Sequence, residues 1–204
     1  MSAQALVFWR PLLALLLASV VIMGSPGPST ISATAMGAAF GFRGALQYVL
    51  GLILGTTAVL LAVALGVIAI LFSIPHAAQV LTAVSALYIL YLAFKIATAP
   101  PLATDPGPIP APAFGSGFLL AIANPKAYLA IAAVFAGTPS LTEAHALDAT
   151  LRTVVLALMI VLIHLCWVTA GASLSRLLRH PVGARIVNGA LAASLIVVTA
   201  ATLL

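Results

Sequence analysis

Residues 11–36 read PLLALLLASVVIMGSPGPSTISATAM, an apolar run cut by Gly24-Ser25-Pro26-Gly27-Pro28. The run is long enough to cross a bilayer. Proline removes a backbone donor and obstructs the carbonyl four residues earlier, so Pro-Gly-Pro closes one helix and opens another. In hydrocarbon, such irregular backbone survives only where protein buries it or where it lines a polar cavity. Phe114–Ala136 repeats the pattern, with Asn124-Pro125-Lys126 in its middle. Pro26 lies roughly ten residues, and Pro125 roughly eleven, from the inner end of its run. At ~1.5 Å per residue both sit ~15 Å deep, about half of a ~30 Å core. Two breaks at matching depth are expected to meet at the membrane centre and line one cavity.

The rest of the chain fits the same setting. Of 204 residues, 64% are hydrophobic and 5% charged, against roughly a quarter charged in an average soluble domain. So few charges would not cover a water-soluble surface. Further apolar runs cover Ala45–Phe72, Ala77–Ala97, Thr153–Leu174 and Ile186–Leu204, with a tight turn at Ser73-Ile74-Pro75-His76. The expected fold is all-α and polytopic: six transmembrane helices, of which the first and fourth are broken. Ala99–Ala113, rich in proline and holding Asp105, reads as a stiff linker on the solvent side. It separates a three-helix repeat in residues 1–98 from a second in residues 114–204. Three is odd, so the two halves would enter the membrane in opposite senses, as an inverted repeat.

The net charge of +5 does not point to nucleic acid, because the Lys and Arg residues stand singly or in one short group near span ends. There they set orientation. Arg43, Lys95, Arg176, Arg179 and Arg185 fall on one side, Arg10 and Arg152 on the other. Both termini are therefore expected outside, and the linker cytoplasmic, in an inner membrane. A five-span count, with the first span an incomplete hairpin, would move the N-terminus across. Arg10 followed by Pro11–Met23 has the basic and apolar regions of a signal peptide. No small-x-small cleavage site follows, and a retained first span is expected.

The breaks supply the candidate binding residues: Ser25, Pro26, Gly27, Pro28, Ser29, Asn124, Pro125 and Lys126. A helix starting after Pro28 presents free N–H groups and a positive dipole end, suited to a carboxylate. Ser25, Ser29 and Ser32 follow helical spacing and could share a face. The plainer reading is hydroxyls that pack helices. Lys126 is the one Lys or Arg placed deep in a span, and no Asp or Glu lies in any span. Its ammonium must use freed carbonyls, water or a bound anion; the plainer reading is a cap on a structural kink. His164 is a candidate for carrying a coupling proton, against the plainer reading of a hydrogen-bonded structural histidine. Cys166 stands alone and excludes an intramolecular disulfide. It lies two residues from His164 on a different helix face, so no metal site is expected, nor any cofactor. Gly51, Gly55, Ala58, Ala62 and Gly66 form a small-residue stripe that admits a close neighbour, either within the chain or in a homodimer. Tyr88, Tyr91 and Lys95 share a face running toward the cytoplasm and read as an aromatic belt with a snorkelling lysine.

These motifs resemble the lysine exporter (LysE/RhtB) family. The resemblance rests on Gly24-Ser25-Pro26-Gly27-Pro28, on Ala86-Leu87-Tyr88-Ile89-Leu90-Tyr91-Leu92-Ala93-Phe94-Lys95, and on Gly117-Phe118-Leu119-Leu120 leading to Asn124-Pro125-Lys126. It covers essentially the whole chain. It implies a transporter and not an enzyme: bacterial export of an amino acid or close derivative, driven by an ion gradient. Two departures from the family pattern matter. Gly55-Thr56 stands where Asp or Asn often follows the glycine. His164 stands where an acid often precedes the Trp167 position. Without those carboxylates, a neutral amino acid is expected rather than a strongly cationic one. A metal exporter of the same grouping would need clustered Cys, His or acids in the spans. An intramembrane enzyme would need a nucleophile with its base. A non-transporting assembly factor would have no use for two matched helix breaks.

Overall fold

The structure, a computed structural model, describes residues 3–66, 73, 76–98, 113–174 and 181–203. All the regular elements among them are helical. Helix α1 (Ala3–Ala18) passes into a π-helical turn, Ser19–Met23. Then follow α2 (Pro28–Ala64), α3 (Ala77–Ala97), α4 (Phe114–Ala123), α5 (Pro125–Gly137), α6 (His145–Ser173) and α7 (Pro181–Leu203). The linker from residue 99 to 112 and the basic group Arg176, Arg179 and His180 lie outside the described residues, as do Ile74 and Pro75.

The two proline-bearing breaks stand where the sequence put them. The first helix stops before Gly24, and α2 opens at Pro28 in the N1 position, where a missing N–H costs nothing. At the second break α4 ends at Ala123 and α5 opens at Pro125; Asn124 caps α5, its side-chain oxygen accepting from the Lys126 N–H at 3.1 Å. The axes of α4 and α5 bend by 61°. Two boundaries differ from expectation. The segment after Pro28 runs past Met36 and turns only at Gly41, whose backbone (φ 69°, ψ 174°) lies where side chains are disfavoured. The helix α6 begins at His145, not Thr153, because Asp148 and Arg152 pair within its first turns at 3.5 Å. Arg152 is buried there and donates to the carbonyls of Phe135 and Thr138, capping the end of α5.

Helix α2 is the hub, packed most extensively on α6 and α4, while α3 packs on α7. Both hub contacts are backbone against backbone. A Cβ on Gly51 or Gly117 would overlap a carbonyl of the facing helix, Phe114 and Tyr48 respectively, and one on Gly55 would meet Ala121 and the Phe118 carbonyl. The glycine end of the small-residue stripe is thus used by α4 of the same chain. On the first half of α2, before the turn at Gly41, Gly37 meets the Val168 carbonyl, and Gly171 of α6 meets the Thr34 carbonyl. Outward faces carry exposed leucines, among them Leu50, Leu54, Leu61, Leu158 and Leu162. Helices Pro28–Ala64 and His145–Ser173 are each long and apolar enough to cross a membrane, and α4 with α5 would make a third, bent span. Such outward leucine faces suit lipid, in which every backbone group must be satisfied inside the helix.

Candidate functional site

The two breaks touch. Between them lies a cavity of about 40 Å3, room for a few waters at ~10–15 Å3 each and not for an amino acid. Its polar wall comprises Ser25, Gly27, Ser29, Thr30, Thr56, Asn124, Lys126 and His164, and its apolar wall includes Ile131, Ile160 and Ile163. Five helical segments therefore contribute: the two sides of the first break, the second half of α2, α5 and α6.

Lys126 joins the two breaks. Its Nζ donates to the Ser25 carbonyl at 2.6 Å, the Pro26 carbonyl at 2.7 Å and the Ser25 hydroxyl at 2.8 Å. These carbonyls are free because Gly24–Gly27 leaves the helix, so the break that proline creates is what satisfies the ammonium. Gly27 makes room for it: a Cβ there would fall 2.6 Å from Lys126 Cδ and 2.9 Å from Nζ. A second tie runs from Asn124 Nδ2 to Ser29 Oγ at 2.9 Å. A third comes from α6, where Trp167 Nε1 donates to the Gly24 carbonyl at 3.1 Å. Thr30 closes the first turn of α2, its hydroxyl accepting from the Gly27 N–H at 2.8 Å.

Most of the sequence candidates thus come together, in different ways. Ser25, Gly27, Ser29, Asn124, Lys126 and His164 line the cavity. Pro26 offers its carbonyl, while Pro28 and Pro125 open the two helices. The shared serine face does not form. Ser25 lies in the non-helical break and donates to the Ile22 carbonyl at 2.8 Å. Ser32 is buried against the Tyr48 hydroxyl, away from the cavity. Cys166 is exposed. No group of three or more metal-ligating side chains occurs among the described residues.

Sequence reasoning missed Trp167, Thr30 and the place of Thr56 on the cavity wall. A signal existed for Trp167: an indole N–H in an apolar span needs an acceptor, and a broken helix nearby supplies one. Thr56 stood out only as a departure from a family pattern.

The family model for the LysE type translocator matches residues 20–204, both breaks included. The chain belongs to the LysE type translocator family. It is therefore a membrane transporter and not an enzyme. Among curated proteins it is similar to the cysteine/O-acetylserine efflux proteins of Salmonella choleraesuis (strain SC-B67) and Salmonella typhimurium (strain LT2). Each is 36% identical, over 76% of this chain and 80% of the relative. The protein of the same name from Salmonella paratyphi A (strain ATCC 9150) matches to the same extent. No solved structure matches the translocator.

Proposed function

We propose that this translocator exports a neutral amino acid or close derivative, of the cysteine and O-acetylserine type, through the cavity between the two helix breaks. The observation that carries this reading is Lys126 held by carbonyls of the opposite break. An ammonium so placed, with the positive ends of α2 and α5 opening on the same cavity, is a receptor for a carboxylate. The substrate carboxylate would replace the Ser25 and Pro26 carbonyls on Nζ and loosen the tie between the breaks. The cavity would then widen as it fills. The relatives' names support the substrate class, as does the lack of Asp and Glu among the described residues of the cavity wall. Reconstituted protein and a panel of labelled amino acids provide the test. Uptake of cysteine or serine derivatives is the expected result; transport of lysine alone would reject it.

The six spans are read as two inverted repeats, residues 1–98 and 114–204 about the linker, with both termini periplasmic in the inner membrane. Exchanging the halves (span 1 with 4, span 2 with 5) exchanges the two glycine-mediated interfaces, α4 on the second half of α2 and α6 on its first half. The α3–α7 contact maps onto itself. Single cysteines at Ser2 or Leu204 in a Cys166→Ala background should react with an impermeant maleimide from the periplasm. Labelling from the cytoplasmic side alone would defeat this topology. A homodimer would need a face other than the Gly51–Gly55 stripe.

We further propose His164 as the proton-coupling residue. It lines the cavity with Lys126, and among the described residues these two are the charged or titratable side chains of its wall. Export should then change with pH as the imidazole gains and loses its proton, and His164→Gln should flatten that profile. A variant that inserts normally and keeps the wild-type profile between pH ~5.5 and ~8.5 would leave His164 a structural role only.

A further inference from the structure

Two buried polar atoms have no hydrogen-bond partner although their residues line the cavity: Thr56 Oγ1 and His164 Nε2. Their residues are 6% and 4% exposed. Buried polar atoms are nearly always paired, so two orphans on one cavity wall call for a ligand. The chemistry of that ligand follows from the other ring nitrogen. His164 Nδ1 lies 2.8 Å from the Ile160 carbonyl, which only accepts. Nδ1 therefore carries the proton, and Nε2 of the neutral ring offers a lone pair. A cationic ring would add a second positive charge to a cavity that already holds Lys126 and shows no carboxylate among the described residues. Thr56 differs from its neighbour Thr57, whose hydroxyl is spent on the Ile53 carbonyl at 2.8 Å.

From this geometry we infer that Thr56 and His164 form a subsite for the α-ammonium group of the substrate, complementing Lys126 at the carboxylate. An ammonium brings three donors and no acceptor, matching an imidazole lone pair and a hydroxyl oxygen. A carboxylate would meet the lone pair of Nε2 unfavourably, and a side-chain thiol or hydroxyl brings one donor for two acceptors. The two departures from the family's acidic pattern thus become one neutral acceptor pair, which binds an ammonium without a buried carboxylate. Such a pair suits a zwitterion better than a substrate with a second cationic group.

This inference rests on the proposed amino-acid export, and the test separates the two. Reconstituted full-length protein takes up radiolabelled L-cysteine under reducing conditions, in competition with unlabelled L-cysteine or 3-mercaptopropionate, which lacks only the ammonium. In the wild type, 3-mercaptopropionate should compete about tenfold to a hundredfold more weakly, as loss of hydrogen bonds to a charged group implies. Thr56→Val and His164→Phe should weaken L-cysteine about tenfold or more and leave 3-mercaptopropionate unchanged, so that the ratio collapses. Thr56→Ser and His164→Gln, which keep an acceptor, should retain most of it. Equal competition by the two compounds in the wild type, or an unchanged ratio in Thr56→Val, would overturn the subsite while leaving amino-acid export standing. Absence of any amino-acid transport by the wild type would overturn both.

Discussion

Replacing Lys126 with Met is expected to lower transport by at least about a hundredfold while the protein still inserts and purifies. The ammonium makes three hydrogen bonds across the break, at 2.6, 2.7 and 2.8 Å. Hydrogen bonds to charged groups contribute about 1.5–3 kcal/mol each, so losing the carboxylate's partner alone accounts for the fall. Structural and binding roles separate in Lys126→Gln. Its amide can still donate to the Ser25 and Pro26 carbonyls and hold the breaks together, but it carries no charge for a carboxylate. Transport by Lys126→Gln close to the wild type would reduce Lys126 to a brace. Loss in both variants, with thermal stability preserved in the Gln variant, is the expected pattern. Gly27→Ala provides an independent check, because its Cβ would displace the lysine chain from its present course and leave the charge in place. It should impair transport more than stability, since a flexible side chain and not backbone must move.

The sequence carried the breaks plainly because proline and glycine act locally. Pro28 and Pro125 each open a helix whatever surrounds them, and the freed carbonyls that Lys126 requires followed from the same chemistry. What pairs with what was less legible. That Lys126 reaches Ser25 and Pro26, roughly a hundred residues away in sequence, depends on how α5 lies against the first break, which no periodicity encodes. The serine triplet at positions 25, 29 and 32 has helical spacing, yet the helix does not extend through Ser25, because Pro26 and Pro28 end it first. Helix ends were hidden where apolarity and helicity part company: α6 extends outward to His145 on an Asp148–Arg152 pair, which hydropathy reads as loop. The stripe at Gly51 and Gly55 was visible as a repeat. Gly37 and Gly171, one in each of two distant helices, look like isolated glycines until those helices face each other.

That pairing leads to the largest structural effect expected. Gly171→Leu should lower the melting temperature by about 10 °C or prevent a monodisperse protein from forming. Overpacking a core costs about 1–3 kcal/mol when side chains can shift, and 1 kcal/mol corresponds to about 2–4 °C at this chain length. Here nothing flexible is available to give way. A Cβ on Gly171 would meet the Thr34 carbonyl and Cα, and one on Gly37 would meet the Val168 carbonyl. The backbones of α2 and α6 would have to separate. Separation would also break the Thr34 hydroxyl's 3.3 Å contact with the Trp167 carbonyl and pull the Trp167 indole from Gly24, releasing the first break from α6 on the His164 side of the cavity. Gly189→Ala is the matching control, because nothing lies within 4 Å of a Cβ there and alanine is the better helix former by about 1 kcal/mol. It should leave stability unchanged or slightly raised. A Gly171→Leu protein as stable as the wild type would mean that α2 and α6 do not meet backbone to backbone, and the route by which α6 holds the first break would have to lie elsewhere.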